Sequence, residues 1–170
     1  MHYSRPKDRE LNYKATTDHW VGDPCYVVPD ECWGELCNNW SAYDDKHEHD
    51  PEHTHHYVAQ AQDKLTGEKF HLWNTAHGDG SYPLMVNDVK VADLSVDAGT
   101  LSVIPMTLIE HWNSTGQISN YQDMGCVVKA EHLRGELICE AGDFSWGDLS
   151  LPTGDMPEDA WDDAEDEFDN

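Results

Sequence analysis

The sequence predicts an α+β fold, mainly antiparallel β-sheet of sandwich or barrel type, with one amphipathic helix near residues 31–40. Two observations predict this class. Short segments of β-branched and aromatic residues recur about every 8–12 residues, separated by turn-forming Gly, Pro, Asn and Asp. One segment has clear helical periodicity, because its apolar residues fall at i, i+3, i+4 and i+7: Trp33, Leu36, Cys37 and Trp40.

The individual elements follow in chain order from residue types and turn signals. A short buried strand is predicted at 25–28, and Asp30 is suited to cap the helix that follows. The runs at 56–63 and 69–75 predict a hairpin. The later elements are strands at 82–86 (an edge strand, because of Pro83), 89–96 and 100–104, a helical turn at 106–112, a second hairpin from 126–131 and 136–140, and an irregular segment at 142–154.

The domain organisation follows from length and composition. A chain of 170 residues has one domain by default. Residues 1–18 are polar and predict an arm or edge segment, and residues 19–154 predict a single globular domain with a His- and acid-rich loop at 41–56. Residues 155–170 form an acidic tail that contains no basic residue.

Net charge is the strongest functional signal. The chain has 34 acidic and 10 basic residues, a formal charge of -24. This charge disfavours direct binding to nucleic acid or an anionic membrane, and it attracts cations and basic protein surfaces. Only Lys129 and Arg134 are basic after Lys90, so we expect the partner surface in the half of the chain from Val91 onward.

The cysteines and the apolar runs indicate a cellular setting. Five Cys and no secretory segment argue against a disulfide framework, and the spacing favours buried, inert thiols. No run approaches the length of a membrane span. We therefore expect a cytoplasmic protein, in the host cytoplasm if it is encoded by a phage, or a virion protein.

A histidine cluster in the loop is one candidate metal site. Its members are His47, His49, His53, His55 and His56. Imidazoles at alternate positions can converge on Zn, Ni or Cu, and the neighbouring acids would raise the local cation concentration. The alternative interpretation is a solvated loop whose charge depends on pH.

Three turns with an acid beside or near Gly or Pro form a second candidate site. They place Asp23, Asp79 and Asp97 at the ends of predicted strands. If the turns meet at one end of the sheet, the three carboxylates could hold a hard cation such as Ca, with His77 as general base. That arrangement would be a metal-dependent hydrolase. The alternative is that the acids only stabilise the turns.

The same turns carry a family resemblance. The segments Asp23-Pro24-Cys25-Tyr26 and Gly78-Asp79-Gly80-Ser81-Tyr82, and the run 96–105 (Val-Asp-Ala-Gly-Thr-Leu-Ser-Val-Ile-Pro), resemble a pattern in small proteins of tailed bacteriophages and bacteria. The resemblance covers residues 20–105 and implies a phage origin. It implies no particular activity.

The acidic tail is a candidate docking element. Trp161, Ala164 and Phe168 fall at i, i+3 and i+7, a helical seam among carboxylates. Such a segment could fold against a basic partner with an apolar groove. The predicted partner-binding residues are Asp159, Trp161, Asp162, Asp163, Glu165, Asp166, Glu167 and Phe168. The alternative is a disordered, solubilising tail.

Two functions are therefore weighed from the sequence. The first is an acidic interaction protein that binds a basic protein surface, as an inhibitor or DNA mimic of a host nucleic-acid-binding protein or as a virion component. The second is the metal-dependent hydrolase. A small-ligand pocket lined by Trp20, Trp33, Trp40 and Trp73 is a further alternative.

Overall fold

Two antiparallel sheets pack face to face in the computed structural model, and helices cover the outer face of one sheet. The structure describes residues 13–47, 58–116, 118, 120–140 and 142–154, with backbone alone at 2–3, 9–10, 43 and 47. The predicted α+β, β-rich class is confirmed.

Twelve strands and three helices make up this part of the chain. The strands are β1 (His2–Tyr3), β2 (Arg9–Glu10), β3 (His19–Gly22), β4 (Ala59–Gln62), β5 (Lys69–Asn74), β6 (Gly80–Val86), β7 (Val89–Val96), β8 (Thr100–Pro105), β9 (Gly125–Val128), β10 (Leu137–Glu140), β11 (Asp143–Trp146) and β12 (Leu149–Pro152). The helices are α1 (Asp30–His47), α2 (Met106–Ser114) and α3 (Tyr121–Met124), with 3₁₀ turns at Pro24–Tyr26 and Ala130–His132.

Each sheet mixes early and late strands. Sheet one has the order β1-β4-β5-β8-β3-β9, and sheet two has the order β2-β10-β11-β12-β6-β7. The first residues lie in both sheets, because His2 pairs with Gln62 and Arg9 pairs with Ile138. The edges formed by β9 and β7 also approach each other, which creates one of the grooves described below.

The main core lies between the two sheets. Alternate residues of sheet one, such as Val21 and Val103, point inward and join Tyr82, Leu84 and other apolar residues of sheet two. The Trp73 ring of sheet one stacks on the Phe144 ring of sheet two, with centroids 3.7 Å apart and planes inclined by 9°. This stack joins the two sheets across the core.

A second core covers the outer face of sheet one. The intervening residues of the same strands, including Trp20 and Ile104, pack against α1 and α2. From α1 this core takes Leu36 and Trp40, two members of the predicted helical stripe. Sheet one is thus buried on both faces, which explains why every residue of β8 is buried.

Two predicted pairs of neighbouring strands are present in the structure. The predicted hairpin at 56–63 and 69–75 appears as β4 and β5, with Gln62 opposite Lys69. Strands β6 and β7 are joined at Asn87-Asp88, where both residues have positive φ, 53° and 62°. Such dihedrals match the right-handed twist of hairpin strands, and Asn and Asp tolerate them.

Three predictions near the helix and the first strands were wrong. Helix α1 continues to His47, so residues 41–47 are helix and not loop. Residues 25–28 are not a strand, because Pro24–Tyr26 forms a 3₁₀ turn capped by Asp23. The buried strand of this region is β3, at His19–Gly22, where the sequence analysis predicts no strand.

The C-terminal pairing was also predicted wrongly. Strands β9 and β10 do not form a hairpin, because β9 pairs with β3 in sheet one and β10 pairs with β11 in sheet two. Residues 142–154 are not irregular and form the hairpin of β11 and β12. Strand β6, predicted to be an edge strand, lies between β12 and β7, although Pro83 lies beyond the two residues that pair with β12.

Close packing at two glycines joins β3 to β9. Gly22 and Gly125 are paired across these strands, and the Trp20 indole lies over both. A Cβ on Gly125 would come within 2.3 Å of that ring. The Trp20 Nε1–H donates to the Tyr121 carbonyl over 2.8 Å, which holds α3 at the start of β9.

No helix within the described ranges is both long enough and apolar enough to cross a membrane.

Candidate functional site

Asp23 is the centre of the predicted turn cluster. Its carboxylate is fully buried and accepts three backbone N–H groups: from Cys25 over 2.9 Å, from Asp97 over 2.7 Å and from Ala98 over 2.8 Å. An ionised carboxylate can be buried at low cost only when its lone pairs are occupied in this way. Asp23 thus ties the turn after β3 to the turn between β7 and β8.

The third turn lies beside these two. The Thr75 hydroxyl donates to the Gly78 carbonyl over 2.6 Å, and the Thr75 N–H donates to the Gly99 carbonyl over 3.0 Å. The Tyr82 hydroxyl also donates to the Gly78 carbonyl, over 2.8 Å. The three Gly/Asp turns therefore meet at one end of the molecule, as the hydrolase hypothesis required.

The chemistry at this meeting point is that of a structural junction. Within the described ranges, no three His, Cys, Asp or Glu side chains form a group suited to a metal ion. Asp23 already binds backbone amides, Asp97 accepts a hydrogen bond from the Tyr26 hydroxyl, and Asp79 and His77 are exposed. This arrangement favours the alternative in which the acids stabilise turns.

The Cys25 thiol beside Asp23 is held in its protonated form. Burial raises the pKa of Cys25 to about 12, and the hydrogen bond to Asp23 and the charges of Asp23, Asp97 and Asp79 act in the same direction. A thiol with this pKa has almost no thiolate at neutral pH and is a poor nucleophile or metal ligand.

Two sets of predicted site residues lie outside the described residues. The His cluster at 47–56 lies outside the described residues, except for the backbone of His47 at the end of α1. The tail at 155–170, with all the predicted partner-binding residues, also lies outside them. Both remain predictions.

One groove lies where the free edges of the two sheets meet. We call it the acidic groove. It has a volume of about 330 Å³, and the lining residues include Tyr26, Asp93, Leu94, Asp97, Asp123 and Met124. Three of these are exposed carboxylates, and none of the described residues that line it is basic. Its position depends on Asp23, which holds the backbone of Asp97.

A second groove lies on the other side of the same turn. We call it the indole groove. It has a volume of about 210 Å³ and lies between α1 and the turn after β7, lined by Trp33, Trp40, Asp44, Asn74, Ala98 and Thr100. Ala98 also donates its N–H to Asp23. The junction at Asp23 thus supports a wall of each groove.

A buried polar pair lies away from both grooves. The Nδ1 of His19 donates to the Thr17 carbonyl over 3.0 Å, because a carbonyl can only accept. Its Nε2 is therefore the acceptor for the Tyr13 hydroxyl, 2.7 Å away. Burial lowers the pKa of His19 to about 4, although the Thr17 carbonyl and Asp18 oppose this shift. His19 is neutral at pH 7 and packs edge-on against Trp146.

Comparison of the chain with protein families, with curated proteins and with solved structures gave no match. The resemblance to phage proteins remains a prediction. Sequence reasoning placed Asp97 in the candidate site but missed Asp93 and Asp123, which join it only because the edges of two sheets meet. The acid count after Val91 was the one signal that pointed to them.

Proposed function

We propose that this chain is an interaction protein that binds a basic protein surface, and that the acidic groove is the contact site in the described part of the chain. The observation that carries the proposal is the lining of this groove. Three exposed carboxylates, those of Asp93, Asp97 and Asp123, surround it, while the partly exposed Ala92 and Met124 add apolar surface. Lysine and arginine side chains suit such a lining, because their aliphatic stems pack on apolar atoms and their charged ends reach carboxylates.

Lys90 lies near the groove and competes with a partner's lysine or arginine for the Asp93 carboxylate. Lys90 Nζ is 3.1 Å from the Asp93 carboxylate, and both side chains are more than half exposed. A pair this exposed contributes at most about 1 kcal/mol, so a partner's lysine or arginine can replace Lys90 at little cost. The groove therefore stays available to a basic partner.

Edge strands extend the proposed surface. Leu84 pairs with Ala92 and Met85 with Lys90, so Val91 is the extra residue of a bulge in β7. Val89 and Val91 are exposed on this edge, and Val127 is exposed on β9. Exposed apolar residues beside carboxylates supply contact area that charge alone does not.

The net charge of -24 supports the same function at long range. It would speed encounter with a basic protein, and this effect falls as salt is added. The most specific form of the proposal is a phage-encoded inhibitor that imitates the phosphate charge of DNA on a host protein. A virion component that assembles with a basic subunit is the other form.

The test is a salt-titrated capture of basic proteins from host lysate by three versions of the chain. One variant replaces the groove carboxylates by amides: Asp93→Asn, Asp97→Asn and Asp123→Asn. The matched control makes the same change in net charge at exposed sites away from the groove: Glu31→Gln, Glu110→Gln and Glu140→Gln.

We expect the wild type and the control variant to capture the same protein at low salt, and the groove variant to lose it. Failure of the wild type to capture any protein at low ionic strength would refute the interaction function, because attraction between opposite charges is strongest there. Equal capture by all three versions would remove the acidic groove from the proposal.

A further inference from the structure

We propose that the free edge of β7 in the acidic groove binds an extended, basic segment of the partner as an added antiparallel strand. This inference rests on the proposed function and specifies the conformation of the partner segment. Strand β7 is the last strand of sheet two, and β9 is the last strand of sheet one. Among the strands of the described ranges, β7 therefore pairs only with β6, and the other side of its backbone is open to a partner.

The acidic groove follows the edge of β7 and not one of its faces. The consecutive residues 92–95 of this strand all line the groove, although successive side chains of a strand point to opposite faces of the sheet. A groove that contacts residues of both faces lies beside the backbone. Gly125 of β9 lies across the groove, so the space is bounded by the edges of both sheets.

The turn between β6 and β7 determines which backbone groups of β7 face the groove. A two-residue turn makes Val86 and Val89 a hydrogen-bonded pair. Hydrogen-bonded and non-hydrogen-bonded pairs then alternate along the two strands, with one extra residue on β7 at the bulge. By this count Pro83 and Asp93 are a non-hydrogen-bonded pair. The N–H and C=O groups of Asp93 therefore point away from β6.

Two independent observations agree with this count. Pro83 has no N–H group, so it cannot complete a hydrogen-bonded pair with Asp93. Further along the chain, the N–H of Asp97 points toward sheet one, since it donates to Asp23 over 2.7 Å. Ser95 lies between Asp93 and Asp97 at the same two-residue period, so its N–H and C=O groups also face the groove.

The first half of β7 is less suited to pairing. The bulge at Val91 interrupts the regular spacing of its backbone groups, and Lys90 adds an exposed charge, two features that block pairing at edge strands. At the other end, the N–H of Asp97 is already bonded. The available site is the segment 93–95, which can exchange about four backbone hydrogen bonds with an antiparallel strand.

Side-chain alternation and charge determine the sequence that fits. In an added strand, the residues opposite Asp93 and Ser95 project their side chains to the same face as these two exposed residues. A lysine or arginine opposite Asp93 would thus lie beside its carboxylate. The residue between them projects to the face of the buried Leu94, where an apolar side chain is suitable. The matching segment alternates basic and apolar residues.

Charge argues against the two occupants that this chain itself can supply. A second copy that pairs its own β7 edge with the first would bring together two chains that each carry a net charge of -24. The segment 155–170 contains nine acids and no base, so the groove carboxylates would repel it. An extended basic segment is complementary to the groove.

The probe is the acetylated and amidated peptide Lys-Val-Lys-Val-Lys, compared with two N-methylated forms of the same charge. Methyl groups on two lysine nitrogens remove N–H groups that would bond to β7, whereas methyl groups on the two valine nitrogens remove N–H groups that point away from it. We expect the lysine-methylated peptide to bind about tenfold more weakly than the valine-methylated one, measured by calorimetry at low salt. Equal affinities of the two methylated peptides would overturn the proposal.

Amide hydrogen exchange, followed by NMR, locates the contact. In the free chain we expect fast exchange at Asp93 and Ser95 and slow exchange at Leu94, which is paired with Tyr82 of β6. At saturation, the unmethylated peptide should slow exchange at Asp93 and Ser95 by about tenfold and leave Val127 on the β9 edge unchanged. Slow exchange at Asp93 and Ser95 in the free chain, or protection confined to β9, would overturn the assignment.

Ser95→Pro tests the edge from the side of the protein. Proline lacks the N–H and is tolerated on an edge strand where that group faces away from the sheet, so the variant should fold and bind the peptide about tenfold more weakly. The control Ser95→Ala keeps the N–H and should bind like the wild type. A melting temperature far below that of Ser95→Ala would show that the N–H is bonded within the fold. A dimer that Ser95→Pro abolishes would assign the edge to a second copy. Either result would refute the proposal.

The two proposals can fail separately. Lysate capture that depends on the groove carboxylates, together with equal affinities of the two methylated peptides, would refute strand addition alone. Peptide binding that depends on the lysine N–H groups, without any lysate capture, would refute the interaction function and leave an edge site for basic peptides.

Discussion

Replacing Asp23 by asparagine tests the junction on which both grooves depend. The carboxylate accepts three N–H groups at 0% exposure, two of them on one oxygen. Asparagine keeps one acceptor oxygen, which can serve Asp97 and Ala98, and then turns its NH₂ group toward the N–H of Cys25. One charge-assisted bond is lost and two donors face each other, so we expect the free energy of unfolding to fall by about 2–4 kcal/mol.

Urea denaturation is the suitable assay, because guanidinium chloride would screen the large net charge. The control is Asp79→Asn, which makes the same charge change at an exposed carboxylate in the neighbouring turn and should alter stability by less than about 0.5 kcal/mol. Amide hydrogen exchange at Asp97 and Ala98 should be faster in Asp23→Asn. Equal midpoints and equal slopes for the two variants would show that the carboxylate does not hold the turns.

Three further predictions concern the core and the thiols. The unfolded chain protonates His19 near pH 6.5 and the folded chain only near pH 4, so acidification between these values should cost roughly 3 kcal/mol. In His19→Phe, the free energy of unfolding should no longer show this decrease between pH 6.5 and pH 4. If the decrease is unchanged in the variant, another group causes it. Gly125→Ala should lower the melting temperature sharply, because its Cβ would meet the Trp20 ring, whereas Gly34→Ala, in open space on α1, should raise stability by up to about 1 kcal/mol. Similar melting temperatures for Gly125→Ala and Gly34→Ala would contradict the close packing of Gly125 against the Trp20 ring. At pH 8, Cys25 should be alkylated about a thousandfold more slowly than an unperturbed thiol, as peptide mapping can measure, and comparable rates would show that it is not shielded.

The sequence allowed the local elements to be predicted, because their signals are local. A stripe of apolar residues identified α1, and Asn87-Asp88 identified the turn between β6 and β7. The residues of β9 and β10 look like a hairpin by the same rules. They are separated because the 3₁₀ turn at Ala130–His132 carries the chain from one sheet to the other, which no local pattern reveals.

The sequence contains the alternation typical of the hairpin of β11 and β12, although its turn-forming residues favour irregular structure. Phe144 and Trp146 alternate on one strand, and Leu149 and Leu151 on the next, around a tight turn at Gly147-Asp148. The density of Gly and Asp in this segment suggested irregular structure, yet a Gly with φ of 61° is what a two-residue hairpin turn uses.

Part of the candidate site could be predicted from the sequence, and part depends on contacts between distant segments. That acids beside Gly stabilise turns could be argued from residue types, and Asp23 does so. The two grooves could not be derived, because each is lined by residues that are distant in the chain: Tyr26 and Asp123 in the acidic groove, and Trp33 and Thr100 in the indole groove. Of the four Trp residues in the small-ligand alternative, Trp33 and Trp40 line a groove, whereas Trp20 and Trp73 are core, and the ligand itself stays a prediction.

The interleaved strand order has a consequence for the time course of folding during synthesis. Strand β3 lies between β8 and β9, so its apolar residues wait unpaired until residues 100–105 and 125–128 have been made. The pairing of Arg9 with Ile138 waits longer still. Assembly that depends on such distant contacts is slow. A ribosome that pauses before β8 would therefore hold a nascent chain in which β3, with Trp20 and Val21, has neither of its partner strands, and exposed segments of this kind are prone to aggregate.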